Sequence, residues 1–263
     1  MSTHLIIPDS HAHPDFNNDR FGVLGKFIVD LRPDVIVNLG DMADMPSLCS
    51  YDKGTKGFEG RRYKKDVEAV IDAQEKLLGP LKQVQKNLKK AKKKPYNPRM
   101  VLTIGNHEQR ISKATSLDAV LDGTISLDDL KYKEYGWEVI PFLDVVEIDG
   151  VCYSHYFTSG VMSRPISGEH AAFSMITKNF KSCTQGHTHT RDFCERTDPL
   201  GNRIIGLVAG VYQDYWADFA GPANKMWWSG VIVKTNVHQG QYDLEFISMD
   251  TLKKEYTTNG PSA

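Results

Sequence analysis

"DVIVNLGD", residues 34–41, sets the reading of this chain. Val35, Ile36 and Val37 are consecutive and apolar, so neither face of the strand they predict can be left to water. A strand of that kind belongs in the middle of a sheet covered on both sides. The run stops on Gly40 and Asp41, and the same punctuation recurs along the chain. Residues 5–8 run into Asp9 and His11. "RMVLTIGNHE" (99–108) runs into Asn106 and His107. "VCYSHY" (151–156) reaches His155, and "SCTQGHTHT" (182–190) reaches His187 and His189. Helical spacing separates these strands. Phe21, Leu24, Phe27, Ile28 and Leu31 share one face of a helix over 20–31 that Pro33 ends. Apolar residues from Val67 to Leu88 fit a longer helix, with a kink or break expected at Gly79-Pro80. Further helices are expected over 126–134, capped by Ser126, and over 168–179. "NRIIGLVAG", "GVIVKTN" and "YDLEFISM" close a second series of strands. Strands alternating with helices predict an α/β fold, in which ligands gather at the carboxyl ends of the strands.

The chain has 263 residues, 40% of them hydrophobic and 25% charged, enough to bury a core and too apolar for a disordered polypeptide. It is expected to form one domain over 1–250 with a C-terminal tail at 251–263. Cys49, Cys152, Cys183 and Cys194 form no C-x-x-C pair and read as free thiols. The N-terminal residues have no basic region followed by an apolar core, and no stretch reaches the ~20 apolar residues of a membrane span, so a cytoplasmic protein with no membrane partner is expected. A net charge of −1 gives the chain as a whole no signal for a polyanion partner. The charge is uneven, however. Residues 60–99, predicted to be a basic helical segment, hold 13 Lys and Arg against four Asp and Glu.

The polar residues at the strand ends are metal donors. Asp9, His11, Asp41, Asn106, His155, His187 and His189 offer carboxylate, imidazole and amide groups with no thiolate among them, a set suited to manganese, iron, zinc or nickel. Seven donors exceed one coordination shell. They suit two divalent ions sharing a bridging carboxylate, the kind of pair that sits ~3.5–4 Å apart and hydrolyses phosphate esters or amides.

The ordered set "DSH" (9–11), "GDMAD" (40–44), "GNHE" (105–108), "SHY" with His155, and "GHTH" (186–189) resembles the calcineurin-like metallophosphoesterase superfamily. The likeness runs from residue 5 to about 235. It implies a four-layer αββα sandwich with two mixed β-sheets and a dinuclear site, with manganese the first expectation. Carried over by position, Asp9, His11 and His189 would hold one metal and Asn106, His155 and His187 the other, with Asp41 bridging. His107 would contact the phosphate and protonate the leaving oxygen, oriented by Asp44; Glu108 receives no role. The implied reaction is in-line attack on phosphorus by a metal-activated hydroxide.

One departure limits the likeness. Protein phosphatases of the superfamily continue G-D-x-x-D with Arg-Gly, where this chain has Met45-Pro46; Arg110 is retained, and Arg164 and Arg191 are candidate substitutes. Phosphodiester, nucleotide or nucleic-acid substrates are therefore expected ahead of phosphoproteins or small phosphomonoesters. A non-catalytic scaffold of the same fold is the competing class. The basic segment 60–99 could track a nucleic acid or simply be a solvated helix face. The aromatic stretch 211–228 could stack bases, pack, or form a homodimer contact. His13, beside the first motif, is left between the site rim and a plain loop.

Overall fold

The computed structural model describes residues 1–257. In chain order the main elements are β1 (Ser2–Ile7), α1 (Asp19–Leu31), β2 (Val35–Asn38), α2 (Tyr63–Lys90), β3 (Arg99–Thr103), α3 (Gln109–Leu117), β4 (Glu138–Ile140), β5 (Val146–Ile148) and β6 (Val151–Tyr153). A small hairpin, β7 (Thr158–Ser159) and β8 (Arg164–Pro165), precedes α4 (Ala171–Asn179). Then follow β9 (Ser182–Gln185), β10 (Arg191–Thr197), β11 (Arg203–Ala209), β12 (Gly230–His238), β13 (Gln241–Ser248) and α5 (Met249–Thr257).

The fold is α/β with two mixed sheets. The larger has the order β13-β12-β1-β2-β3-β4, the smaller β10-β11-β9-β6-β5. In the first, β1, β2, β3 and β4 run parallel while β12 and β13 are antiparallel. In the second, β6, β9 and β11 run parallel between antiparallel edges.

Strand alternation explains why "DVIVNLGD" has two apolar faces. Ile36 lies with Leu5, Ile7 and Leu102 in a core that also takes side chains from α1, α2 and α5. Val35 and Val37 lie with Ile6 and Val101 in a second core, shared with Val151, Tyr153, Ile205 and Leu207 of the smaller sheet. A third core joins α4 to Cys152, Cys183 and Val208.

Three expectations change. The long helix runs through Gly79-Pro80 without a break. Proline removes one backbone donor, but Leu77, Leu78 and Leu81 on either side of it are buried in the core that includes α1, and that burial holds the helix together. The expected tail begins inside α5, whose Met249 and Leu252 are buried and whose Tyr256 ring meets Phe27, so residues up to 257 belong to the folded body; 258–263 lie outside the described residues. Strand β10 is an edge strand with no clean alternation of burial, so its sequence "RDFCERT" carries no periodic signal. The helix expected over 126–134 is a single turn, Leu127–Leu130, capped at Ser126, whose backbone N–H donates to Asp129. Among the described residues no helix is long and apolar enough to cross a membrane.

The first turn of α2 contains a titratable group out of place. Asp66 is buried; its Oδ2 accepts the Ser47 N–H at 2.9 Å, while Oδ1 has no hydrogen-bond partner among the described residues. Burial pushes its carboxyl up to about 6, with Ser47 pulling the other way. The folded state thus binds this proton more tightly than the unfolded chain. Asp66 costs least below about pH 4, and stability is lost as pH rises through about 6. Asp66→Asn should therefore raise the melting temperature relative to wild type by more at pH 8 than at pH 4.5. A pH-independent difference between the two proteins would refute this assignment.

Candidate metal centre

The candidate donors follow the carboxyl ends of β1, β2, β3, β6 and β9, three strands from one sheet and two from the other. Backbone bonds stitch these loops together. Ser10 and His11 N–H donate to Asp41 O at 3.1 and 2.8 Å, Tyr212 N–H to Asp9 O at 2.7 Å, and Gly186 N–H to His155 O at 3.0 Å. The backbone there is strained: His11, Asp41, His187 and His189 all have φ between 42° and 71°. That left-handed region is unfavourable for residues other than glycine, and such residues concentrate where a site imposes them.

Two groups of donors form. In the first, His11 Nε2 is 3.0 Å from His189 Nε2, and His189 Nε2 is 3.3 Å from Asp9 Oδ2. In the second, Asn106 Oδ1 lies 2.8 Å from both His155 Nε2 and His187 Nδ1. Asp41 Oδ2 is 3.5 Å from His155 Nε2, and Asp41 lies within metal-ligating reach of His11 on the other side. Two donors at right angles on one ion, each about 2.1 Å from it, stand about 3.0 Å apart. The separations therefore match edges of coordination shells, and the donors fit two ions with Asp41 between them. His155 Nδ1 is held 2.8 Å from Leu39 O, which turns Nε2 inward. Asp9 Oδ1 is buried with no hydrogen-bond partner among the described residues.

The electrostatics suit cations. Burial, followed by the nearby His107, lowers His11 to about 3, and burial with His155 lowers His187 to about 4, so both rings present neutral nitrogen. Burial disfavours ionised Asp9 and Asp41, but surrounding histidines outweigh it and hold both carboxyls below their usual range. His107 behaves oppositely. Burial works against its charge, yet Asp41 and the hydrogen bond with Asp44 raise it to about 9. Its Nδ1 is 2.9 Å from Asp44 Oδ1, and its Nε2 is 3.8 Å from Asp41 Oδ2 and 3.2 Å from Arg110 Nη2. Arg110 also donates to Asp44 O at 2.8 Å. The guanidinium at the site is thus Arg110. Arg191 is held over the rings of Trp228 and Phe246, and Arg164 is exposed on β8.

Sequence reasoning missed two supporting residues. Glu108 is fully buried and accepts four hydrogen bonds: Asp41 N–H and Gly105 N–H on Oε2, Ala43 N–H and the Tyr132 hydroxyl on Oε1. It clamps the loop after β2 to the loop after β3. Buried Arg20 donates to Ser10 O at 2.6 Å, His11 O at 2.9 Å and Tyr212 O at 3.2 Å, bracing the first donor loop. Its signal was present, since Arg20 lies four residues before Leu24 on the apolar face of α1. His13 stands beside Asp44, with Nε2 4.0 Å from Oδ2 and its ring near Phe16 and Tyr215.

The aromatic stretch divides by position. Tyr212 and Trp228 pack inside, Tyr215 hydroxyl donates to His11 O, and the Trp227 ring meets His189 edge-on at 4.3 Å. The basic segment divides too. Arg61 bonds Pro46 O on the site side. Gln85, near the far end of α2, bonds Tyr96 O, and Tyr96 bonds Pro33 O just before β2. Lys89 to Lys94 therefore lie toward the amino ends of the strands, opposite the donors.

No family model matches the chain. It is similar to the Gene 54 protein of Mycobacterium phage L5, 27% identical over 241 residues, with 88% of each chain covered. It is also similar to the Gene 54 protein of Mycobacterium phage D29, 28% identical over 236 residues, with 86% of each covered. Neither name states an activity.

The motif glycines have a steric role that can be measured. A Cβ on Gly186 would stand 2.0 Å from Asp9 Oδ1, and one on Gly105 2.1 Å from Asp41 Oδ1. Gly186→Ala should displace the Asp9 carboxylate and lower metal content by elemental analysis. Gly79→Ala, in α2 with open space around it, serves as the control and should leave metal content unchanged. Equal metal content in both variants and wild type would contradict the steric role.

Proposed function

We propose that this chain is a metal-dependent phosphoesterase of the calcineurin-like metallophosphoesterase superfamily, with a four-layer αββα sandwich. The order of the three cores supports the layering: helices, sheet, sheet, helix. The observation that carries the function is the pair of donor groups about Asp41, faced by the His107, Asp44 and Arg110 cluster. Asp9, His11 and His189 would hold one ion, Asn106, His155 and His187 the other, and Asp41 both. When bound, such a pair acidifies a water and offsets the charge of a phosphate ester.

The protein groups supply the rest. Asp44 fixes the His107 ring through Nδ1, which leaves Nε2 turned toward the donors. With Nδ1 held by Asp44, His107 can carry a proton on Nε2 and deliver it to the departing oxygen. Arg110 lies beside that atom and adds a positive charge where a phosphate oxygen would gain negative charge. Glu108 and Arg20 keep the donor loops fixed while this happens.

His107→Ala should keep two ions per chain and lose turnover of bis-p-nitrophenyl phosphate by roughly 10²–10⁴-fold. Unchanged kcat would remove the proposed acid. Asp41→Asn should impair occupancy of both ions, and two ions per chain in that variant would contradict the bridge. Wild type binding two ions yet inactive with manganese, nickel, zinc and iron would end the enzymatic reading in favour of a scaffold.

A further inference from the structure

A cavity of about 500 Å³ opens beside the candidate centre. Asn106 forms one end of it, and α3 forms a wall. Arg110, Lys113 and Leu117 recur along α3 at helical spacing, so one face of that helix leads away from Asn106 over roughly two turns, about 10 Å at 1.5 Å per residue. Lys53 comes from the loop after β2. Lys53, Arg110 and Lys113 line the cavity together with the carboxylate of Asp118, and Arg110 is already shared with Asp44, 3.8 Å from its Oδ1. Both lysines are exposed, and among the described residues neither has a carboxylate partner.

The same cavity is bordered by apolar surface that the fold leaves uncovered. Tyr51 is 90% exposed and Leu117 76% exposed. Phe142 also lines the cavity and meets Tyr156 edge-on, and Tyr156 in turn lies 4.5 Å from the His187 ring. An aromatic wall thus runs from a candidate metal ligand to the mouth of the cavity. The two lysines favour an anion, while the exposed Tyr51 ring and Leu117 favour a flat apolar group; together they point to a ligand holding both.

We infer that this cavity binds a nucleoside phosphate. One phosphate sits at Asn106 and Arg110, a second phosphate between Lys53 and Lys113, and the base against Tyr51 and Phe142. The inference rests on the phosphoesterase reading for which phosphate would react, and on the cavity alone for binding. It also favours a short nucleotide over a long nucleic acid, because the lysine run 89–94 lies at the other edge of the sheet and is not continuous with this cavity.

The test is equilibrium binding of ADP and of pyrophosphate to the full chain as purified, by calorimetry, with metal content measured in every sample. Wild type should bind ADP more tightly than pyrophosphate. Lys53→Ala/Lys113→Ala should weaken both by about tenfold, and Tyr51→Ala should weaken ADP alone. No ADP binding by wild type, or ADP binding unaffected by the double variant at equal metal content, would overturn the inference. Equal affinity for ADP and pyrophosphate would reduce the cavity to an anion site and overturn the nucleotide assignment. ADP binding that follows this pattern in a protein unable to hydrolyse bis-p-nitrophenyl phosphate would leave the cavity standing and remove the enzymatic reading, so the two failures are distinguishable.

Discussion

Everything around the candidate centre depends on keeping the buried carboxylate of Asp41 charged. The residue is 1% exposed, and ionising a carboxyl there costs several kcal/mol unless neighbours compensate. The compensation is spread over the whole rim. His107 N–H donates to Oδ1 at 2.8 Å, and the rings of His155 and His107 approach Oδ2. Asp41 N–H is bonded by Glu108, and Asp41 O takes the N–H groups of Ser10 and His11. One residue therefore ties together the loops after β1, β2, β3 and β6. Its own backbone sits at φ 48° to do so. The strain and the desolvation are borne by the two cores below, which leave these strand ends no other place to go.

The same constraint accounts for how much the sequence disclosed. Apolar runs such as Val35 to Val37 are legible because burial on two faces leaves no room for polar residues. The abrupt change to Asp41, Asn106 or His187 is legible because a donor must follow each run within a few positions. Glu108 was not legible in the same way. An acid after His107 looks like any loop acid until the structure shows four donors converging on it. Left-handed backbone at His11, Asp41, His187 and His189 left no mark in composition, since the usual marker is glycine and these positions hold candidate metal donors instead. Pro80 misled for a different reason: local propensity argued for a break, and burial of the flanking leucines overrode it.

The rim shows a division of labour that charge counting along the chain concealed. Residues 60–99 read as one basic block, yet α2 carries its two ends to opposite edges of the sheet. Only the first, with Arg61, approaches the donors, and there it bonds Pro46 O and Asp52. Cations suited to a small anion come instead from Arg110, Lys113 and Lys53, residues divided between one loop and a short helix. No window of sequence would show them as a cluster.

The aromatic stretch follows similar logic. Tyr215 stacks on Phe16 at 3.8 Å, its hydroxyl braces His11 O, and the His13 ring sits against both. Trp227 closes over His189. These rings border the donors on the side away from Phe142 and Tyr156, which border His187. Apolar walls on both flanks lower the effective dielectric between them and strengthen each charge–charge contact inside. Asp44 gains most: burial works against its ionisation, but the His107 hydrogen bond and the charge of His107 hold its carboxyl below the usual range. An ionised Asp44 fixes the His107 ring only while water is kept from competing for Nδ1. The packing of Tyr215, Phe16 and His13 therefore helps to hold the His107–Asp44 pair in place, without any of the three standing among the candidate donors.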